Sequence, residues 1–200
     1  MKRKRYPLVH FARILAGRGL GWAISLFFLF ACSGEQQYST QYACSFVFFA
    51  SSHQTSCLTL ALGNPGQFVI VAPQTRQGVT HLMLTPNNGE PEDLPMTTAK
   101  ENDRVSYQNM GAQQRLVIGR SQFDGLKAYD GQCPNCMVEY GRTNFPLTWV
   151  DNGHRLKCDK CSRKYDPNAD GIPTDGQREG DVRLLQYRAD YNGERLFVHN

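Results

Sequence analysis

From residue 45 onward the chain alternates short apolar runs with tight turns. Apolar and β-branched residues gather at 45–50 (SFVFFA), 58–62 (LTLAL), 67–72 (QFVIVA) and 81–84 (HLML), and turn residues such as Asn64-Pro65-Gly66 separate them. Each run has the length and composition of a strand. Residues 85–114 are polar and rich in Pro and Asn, which predicts a loop with room for one short helix; Glu90, Glu92 and Asp93 there read as solvated charge. The second half carries three hairpin signals. Runs at 115–119 and 126–129 flank Asp124-Gly125, runs at 147–150 and 154–157 flank Asp151-Asn152-Gly153, and runs at 183–188 and 195–198 flank Asn192-Gly193. Glycine accepts the positive φ that such turns require. With no long 3.6-residue apolar period and no internal repeat, the pattern predicts an antiparallel all-β sandwich or barrel.

The N-terminus follows a different rule. Lys2-Arg3-Lys4-Arg5 precedes the apolar run 20–30 (LGWAISLFFLF), which is about the length of a signal-peptide core and shorter than the roughly 20 residues of a membrane span. The run ends at Ala31-Cys32. A basic start, an apolar run and a small residue before cysteine resemble the signal of bacterial lipoproteins. That resemblance implies removal of residues 1–31, lipidation of Cys32, and a tether to a membrane outside the cytoplasm. Ser33 after the cysteine implies the outer membrane. The remaining 169 residues, 32–200, suit one domain with its own core.

Charge changes the picture once the signal is set aside. The whole chain has 22 Lys+Arg against 18 Asp+Glu, yet six of the basic residues lie within the first 18 positions. The rest of the chain holds 16 basic against 18 acidic residues, so the basic balance of a nucleic-acid binder is missing from the part expected to fold. No Gly-x-Ser-x-Gly, P-loop, His-Glu-x-x-His or dinucleotide fingerprint occurs, and no catalytic constellation assigns an enzyme activity.

Four of the seven cysteines carry the clearest chemistry. Cys133-Pro-Asn-Cys136 is followed, after 21 residues, by Cys158-Asp-Lys-Cys161. A Cys-x2-Cys turn brings two sulfurs to one atom, and two such turns supply the four thiolates of a tetrahedral zinc or iron ion. Each pair follows a predicted hairpin strand, so two hairpins would deliver them to one tip. Disulfides are the competing reading in an oxidising compartment. A redox-active dithiol is a third, although it calls for a helix after the motif, and no helix is expected after Cys136 or Cys161.

The order of elements resembles a Rieske ferredoxin domain from about residue 116 to the C-terminus. The resemblance rests on Gly131-Gln-Cys133-Pro134, then Cys158-x-x-Cys161-Ser-Arg-Lys-Tyr165-Asp166, then Gly171-Ile-Pro173 and Gly176, then Leu184-x-x-Tyr187 and Leu196-Phe-Val198. It implies a Rieske-like antiparallel sandwich or barrel whose two Cys-x2-Cys loops form a metal-binding tip on a β base. The sequence departs from the family at the ligands, because Cys136 and Cys161 stand at or near the positions of the two cluster histidines and the first loop is one residue longer. All-thiolate ligation places structural zinc first. An all-cysteine 2Fe–2S cluster or mononuclear iron, in an electron carrier serving a partner oxidoreductase, is the alternative.

Cys44 and Cys57 form a candidate disulfide that would contribute about 3 kcal/mol in the chain-entropy model, with two buried free thiols as the alternative. His154, between the cysteine pairs, reads as a solvent-facing strand residue. Lys157, Lys160, Arg163 and Lys164 surround the second loop and can offset thiolate charge. Asp166 reads as a loop cap, and Tyr140, Phe145 and Trp149 as core.

Overall fold

Asp151, Asn152 and Gly153 take positive φ in succession (54°, 55° and 80°), which reverses the chain between two strands of a small sheet. Turns of this kind set the topology throughout. A computed structural model describes residues 38–101 and 109–200; the expected signal, 1–31, and the lipidation site Cys32 lie outside the described residues.

The larger sheet contains β1 (Cys44–Phe48), β2 (Gln67–Arg76), β3 (Val79–Pro86), β4 (Glu92–Met96), β5 (Asn109–Met110), β6 (Leu116–Ser121), β7 (Gly125–Asp130), β12 (Gln186–Tyr191) and β13 (Leu196–His199). Its order is β4-β3-β2-β6-β7-β12-β13-β1-β5, and its ladders are antiparallel. The smaller sheet, β11-β10-β9-β8, contains β8 (Leu147–Val150), β9 (Arg155–Cys158), β10 (Lys164–Asp166) and β11 (Ile172–Asp175), and is entered through helix α2 (Pro134–Tyr140). The protein is thus mostly antiparallel β with few helices, and no barrel closes among the described residues. All three predicted hairpins form, as β6–β7, β8–β9 and β12–β13.

The continuous apolar runs of β2 and β6 bury both faces. Val69 and Val71, with Leu116 and Ile118, face one core; Phe68 and Ile70, with Val117 and Tyr129, face a second. Strands covered on both sides lose the polar alternation of a half-exposed sheet. The first core is completed by Phe46, Phe48, Leu82 and Val198, and the second by Leu147, Leu156 and Tyr165 of the small sheet. Trp149 ties the two sheets together by donating from Nε1 to the Thr85 carbonyl (2.8 Å).

Two expectations are corrected. Residues 58–62 are helical, within α1 (Cys57–Gly63): the Ser56 hydroxyl accepts from the Leu58 N–H (3.2 Å) as an N-cap, and Leu58, Ala61 and Leu62 are buried on one helical face. Leu60, which made the run look like a period-two strand, is 48% exposed. The polar stretch 85–114 contains a strand, β4, at the sheet edge. Met96 is buried and Leu94 packs against the first core, while Pro95 is tolerated because an edge strand leaves some donors unused.

Candidate metal centre

The first cysteine loop leaves β7 and enters α2 at once. Cys133 is the N-cap of that helix, Pro134 occupies the first turn with its fixed φ, and Gly141 ends the helix in the left-handed conformation (φ +61°). Around the loop, the Cys133 N–H donates to the Phe145 carbonyl (2.9 Å), and the buried Gln132 side chain accepts from the Phe145 N–H (2.7 Å). The helix corrects the expectation that none follows Cys136. Proline at the first helical position and glycine just past the end were its signals, and seven residues are too few to show an apolar period.

The second loop is a tight knuckle between β9 and β10. The Cys158 N–H donates to the Arg163 carbonyl (3.0 Å) and the Ser162 N–H to the Cys158 carbonyl (2.8 Å), with Ser162 held at φ +62°. The backbone N–H groups of Lys160 and Cys161 turn toward the Cys158 sulfur. Such donors stabilise a thiolate.

The two loops bring all four sulfurs together. The Sγ atoms of Cys133, Cys136, Cys158 and Cys161 lie within 4.8 Å of one another, three of the residues buried and Cys161 partly so. Cys133 and Cys161 are 3.8 Å apart across the loops, as are Cys136 and Cys158. A tetrahedral ion with metal–sulfur bonds of about 2.3 Å separates its sulfurs by about 3.8 Å, so the quartet is positioned to bind one metal ion. All four are free cysteines.

The surroundings set the charge state of these sulfurs. The Cys158 thiol is pulled down to about 5, chiefly by the neighbouring Cys133 side chain and then by the knuckle N–H groups. Burial pushes Cys136 up to about 12, and Cys133 is raised by Cys158 and by burial. Tyr165, fully buried, places its hydroxyl 3.1 Å from Cys133 Sγ and accepts a hydrogen bond from Asn135 Nδ2 (2.9 Å). An amide nitrogen can only donate, so the tyrosine proton points at the sulfur. Asn135 also donates from Nδ2 to the Val182 carbonyl and accepts the Val182 N–H, both at 2.9 Å, which fixes segment 181–184 beside the site.

No protein-family model matches the chain, and neither a curated protein nor a solved structure matches it.

The other candidate residues are dispersed. Cys44 is buried on β1 with its sulfur 3.7 Å from the Val198 carbonyl, whereas Cys57 opens α1 with its N–H on Glu92 Oε2 (2.8 Å). Both are free thiols with separate partners, so the disulfide expected between them is not formed. His154 is exposed in the β8–β9 turn, outside the sulfur cluster. Of the basic residues near the second loop, Lys160 lies over the Tyr140 ring (4.9 Å) and Lys164 pairs with Asp151 and Asp175, while Arg163 is buried. Asp166 caps its turn by accepting the Asn168 N–H (2.8 Å). Phe145 and Trp149 pack on the second core, but Tyr140 is 45% exposed. Asn135, Gln132 and Asp181 carry no local signal in the sequence; the site segments they bind, at Val182, Phe145 and Arg163, lie 13 to 47 positions away.

Proposed function

We propose that the protein is a membrane-tethered lipoprotein whose Rieske-like β domain holds one zinc ion on Cys133, Cys136, Cys158 and Cys161, in a structural role within a binding or scaffold module. The observation that carries the reading is the mutual closeness of the four sulfurs. A two-iron cluster would hold its thiolates as two separated pairs, whereas all four sulfurs here lie within 4.8 Å of one another, which favours one ion. Four protein thiolates leave no position open for substrate, which is the mark of a structural rather than a catalytic zinc site. When bound, the ion supplies folding free energy by joining α2 to the β9–β10 knuckle.

Mononuclear iron takes the same donor set, and it would make the protein an electron carrier for a partner oxidoreductase. Metal analysis and the visible spectrum of full-length protein purified without added metal separate the two. One zinc per chain and no colour supports the scaffold, whereas iron with strong sulfur-to-metal absorbance replaces it with the carrier. The tether is tested by mass: a mature chain that begins at an acylated Cys32 supports it, and a retained signal or cleavage elsewhere refutes it.

A further inference from the structure

Arg163 is two residues beyond Cys161 and only 3% exposed. Its Nε donates to Asp181 Oδ2 (2.7 Å) and its Nη2 to Asp181 Oδ1 (2.9 Å), a bidentate fork that fixes the plane of the guanidinium. Asp181 is itself held by the Arg178 N–H (2.7 Å). The third nitrogen, Nη1, is buried without a hydrogen-bond partner; the Glu139 carboxylate is 3.7 Å away, at ion-pair distance only. Leaving a charged donor buried and unused is costly. The Cys161 side chain is among the groups that interact with this guanidinium. Four thiolates on a divalent ion leave a net negative charge in the same water-poor region, where charges act strongly on one another. Lys160 and Lys164 are engaged elsewhere and are more solvated.

We propose that Arg163 is the fixed counter-charge of the thiolate centre: a permanent cation, clamped by Asp181, that offsets the negative charge of the four sulfurs around the ion and thereby sets the affinity of the site. This rests on the reading of the quartet as a metal site. Arg163 is a positioning residue in this scheme, since it touches a ligand's surroundings and not the metal. A purely mechanical role, tying segment 178–182 to the tip, is the competing account.

The test is zinc affinity of the full chain, measured by competition with a chromophoric chelator, for the parent, Arg163→Gln, Arg163→Lys and Asp181→Asn. Outer-sphere partners of metal ligands typically contribute about 10–100-fold in affinity, and a loss of that size is expected for Arg163→Gln. Arg163→Lys keeps the charge but not the fork, and should stay within a few-fold of the parent. Asp181→Asn keeps the cation and removes its counter-ion, and should bind zinc at least as tightly as Arg163→Lys does. Parental affinity in the glutamine variant overturns the proposal. So does a glutamine-sized loss in either the lysine or the Asp181 variant, because the fork and not the charge would then matter. Should Arg163→Gln fail to fold, the lysine and Asp181 variants decide by the same criterion. A parent protein that binds no zinc and no iron defeats the metal reading itself, before any variant is compared.

Discussion

Replacing Tyr165 with phenylalanine tests whether the sulfurs are tuned by hydrogen bonding or merely packed. The ring is fully buried in the second core, so the substitution keeps its volume and removes one oxygen. Two bonds go with it: the O–H donated to Cys133 Sγ at 3.1 Å and the bond accepted from Asn135 Nδ2 at 2.9 Å. Asn135 retains Val182 on both sides, which limits the cost of its orphaned second N–H. A hydrogen bond to a charged group contributes about 1.5–3 kcal/mol, and one between neutral groups about 1 kcal/mol. In the metal-loaded protein Cys133 is a thiolate and the larger figure applies. In the metal-free protein its raised pKa keeps it a neutral thiol, and the smaller figure applies. Tyr165→Phe should therefore weaken zinc binding by roughly tenfold, since about 1.4 kcal/mol is one decade. It should also lower the melting temperature more in zinc-replete buffer than in chelator. Chelator competition measures the first effect and paired thermal melts the second. Equal destabilisation with and without metal, at unchanged zinc affinity, would show that the hydroxyl serves packing alone.

Cys158→Ser should abolish stoichiometric zinc binding and lower the melting temperature in zinc-replete buffer but not in chelator; equal melting of variant and parent with zinc present would count against a structural metal. Gly153→Ala should destabilise by about 3 kcal/mol, because φ is +80° and a Cβ would fall 1.7 Å from the Asn87 carbonyl oxygen, as thermal denaturation would reveal. Burial pushes the Asp130 carboxyl from the ordinary 3.8 up to about 6, against the bonds it accepts from Ala112 N–H, Gln132 N–H and Tyr187 O–H. The folded state then holds that proton more tightly than the unfolded state. Its contribution is fully present below pH 3.8 and lost as pH rises through 6, a fall of about 3 kcal/mol by pH 7. Asp130→Asn should flatten this slope in urea denaturation compared between pH 4 and pH 7, and an unchanged slope would refute the assignment.

What could be read in the sequence was local. Asp124-Gly125, Asp151-Asn152-Gly153 and Asn192-Gly193 each specify a reversal within a few residues, and all three hairpins form. The cysteine quartet was legible because both pairs follow strands, β7 and β9, and a Cys-x2-Cys turn constrains its two sulfurs whatever the rest of the fold does. Leu58-Thr-Leu-Ala-Leu62 misled because a period of two and a period of 3.6 coincide over five residues; the Ser56 cap and the face available beside β2 and β6 decided for helix. Nor did the sequence reveal that β2 and β6 have two buried faces, or which strands flank them, since β7 pairs with β12 across nearly 60 residues. The supports of the site, Asn135 of α2 on Val182 and Arg163 of the knuckle on Asp181, are contacts between segments of unrelated local pattern.

The small sheet explains why the metal ligands sit where they do. Its strands are three or four residues long, and β11 at its edge is largely open to solvent. A sheet of this size needs a covering layer or a staple to persist. One face is covered by Phe68, Ile70, Val117 and Tyr129 of the larger sheet. Cys133, Cys136 and Cys158 belong to that same apolar cluster and Cys161 packs against it, the first two arriving from β7 and the last two from β9. An ion held there joins the larger sheet to the smaller through two Cys-x2-Cys turns of four residues each. The first core, on the opposite face with α1, β1 and β13, has no cysteine of the quartet in it. Metal removal should therefore open the protein locally. Hydrogen exchange should quicken in residues 147–175 while the amides of β1 and β13 stay protected, and uniform loss of protection would mean that the two cores unfold as one unit.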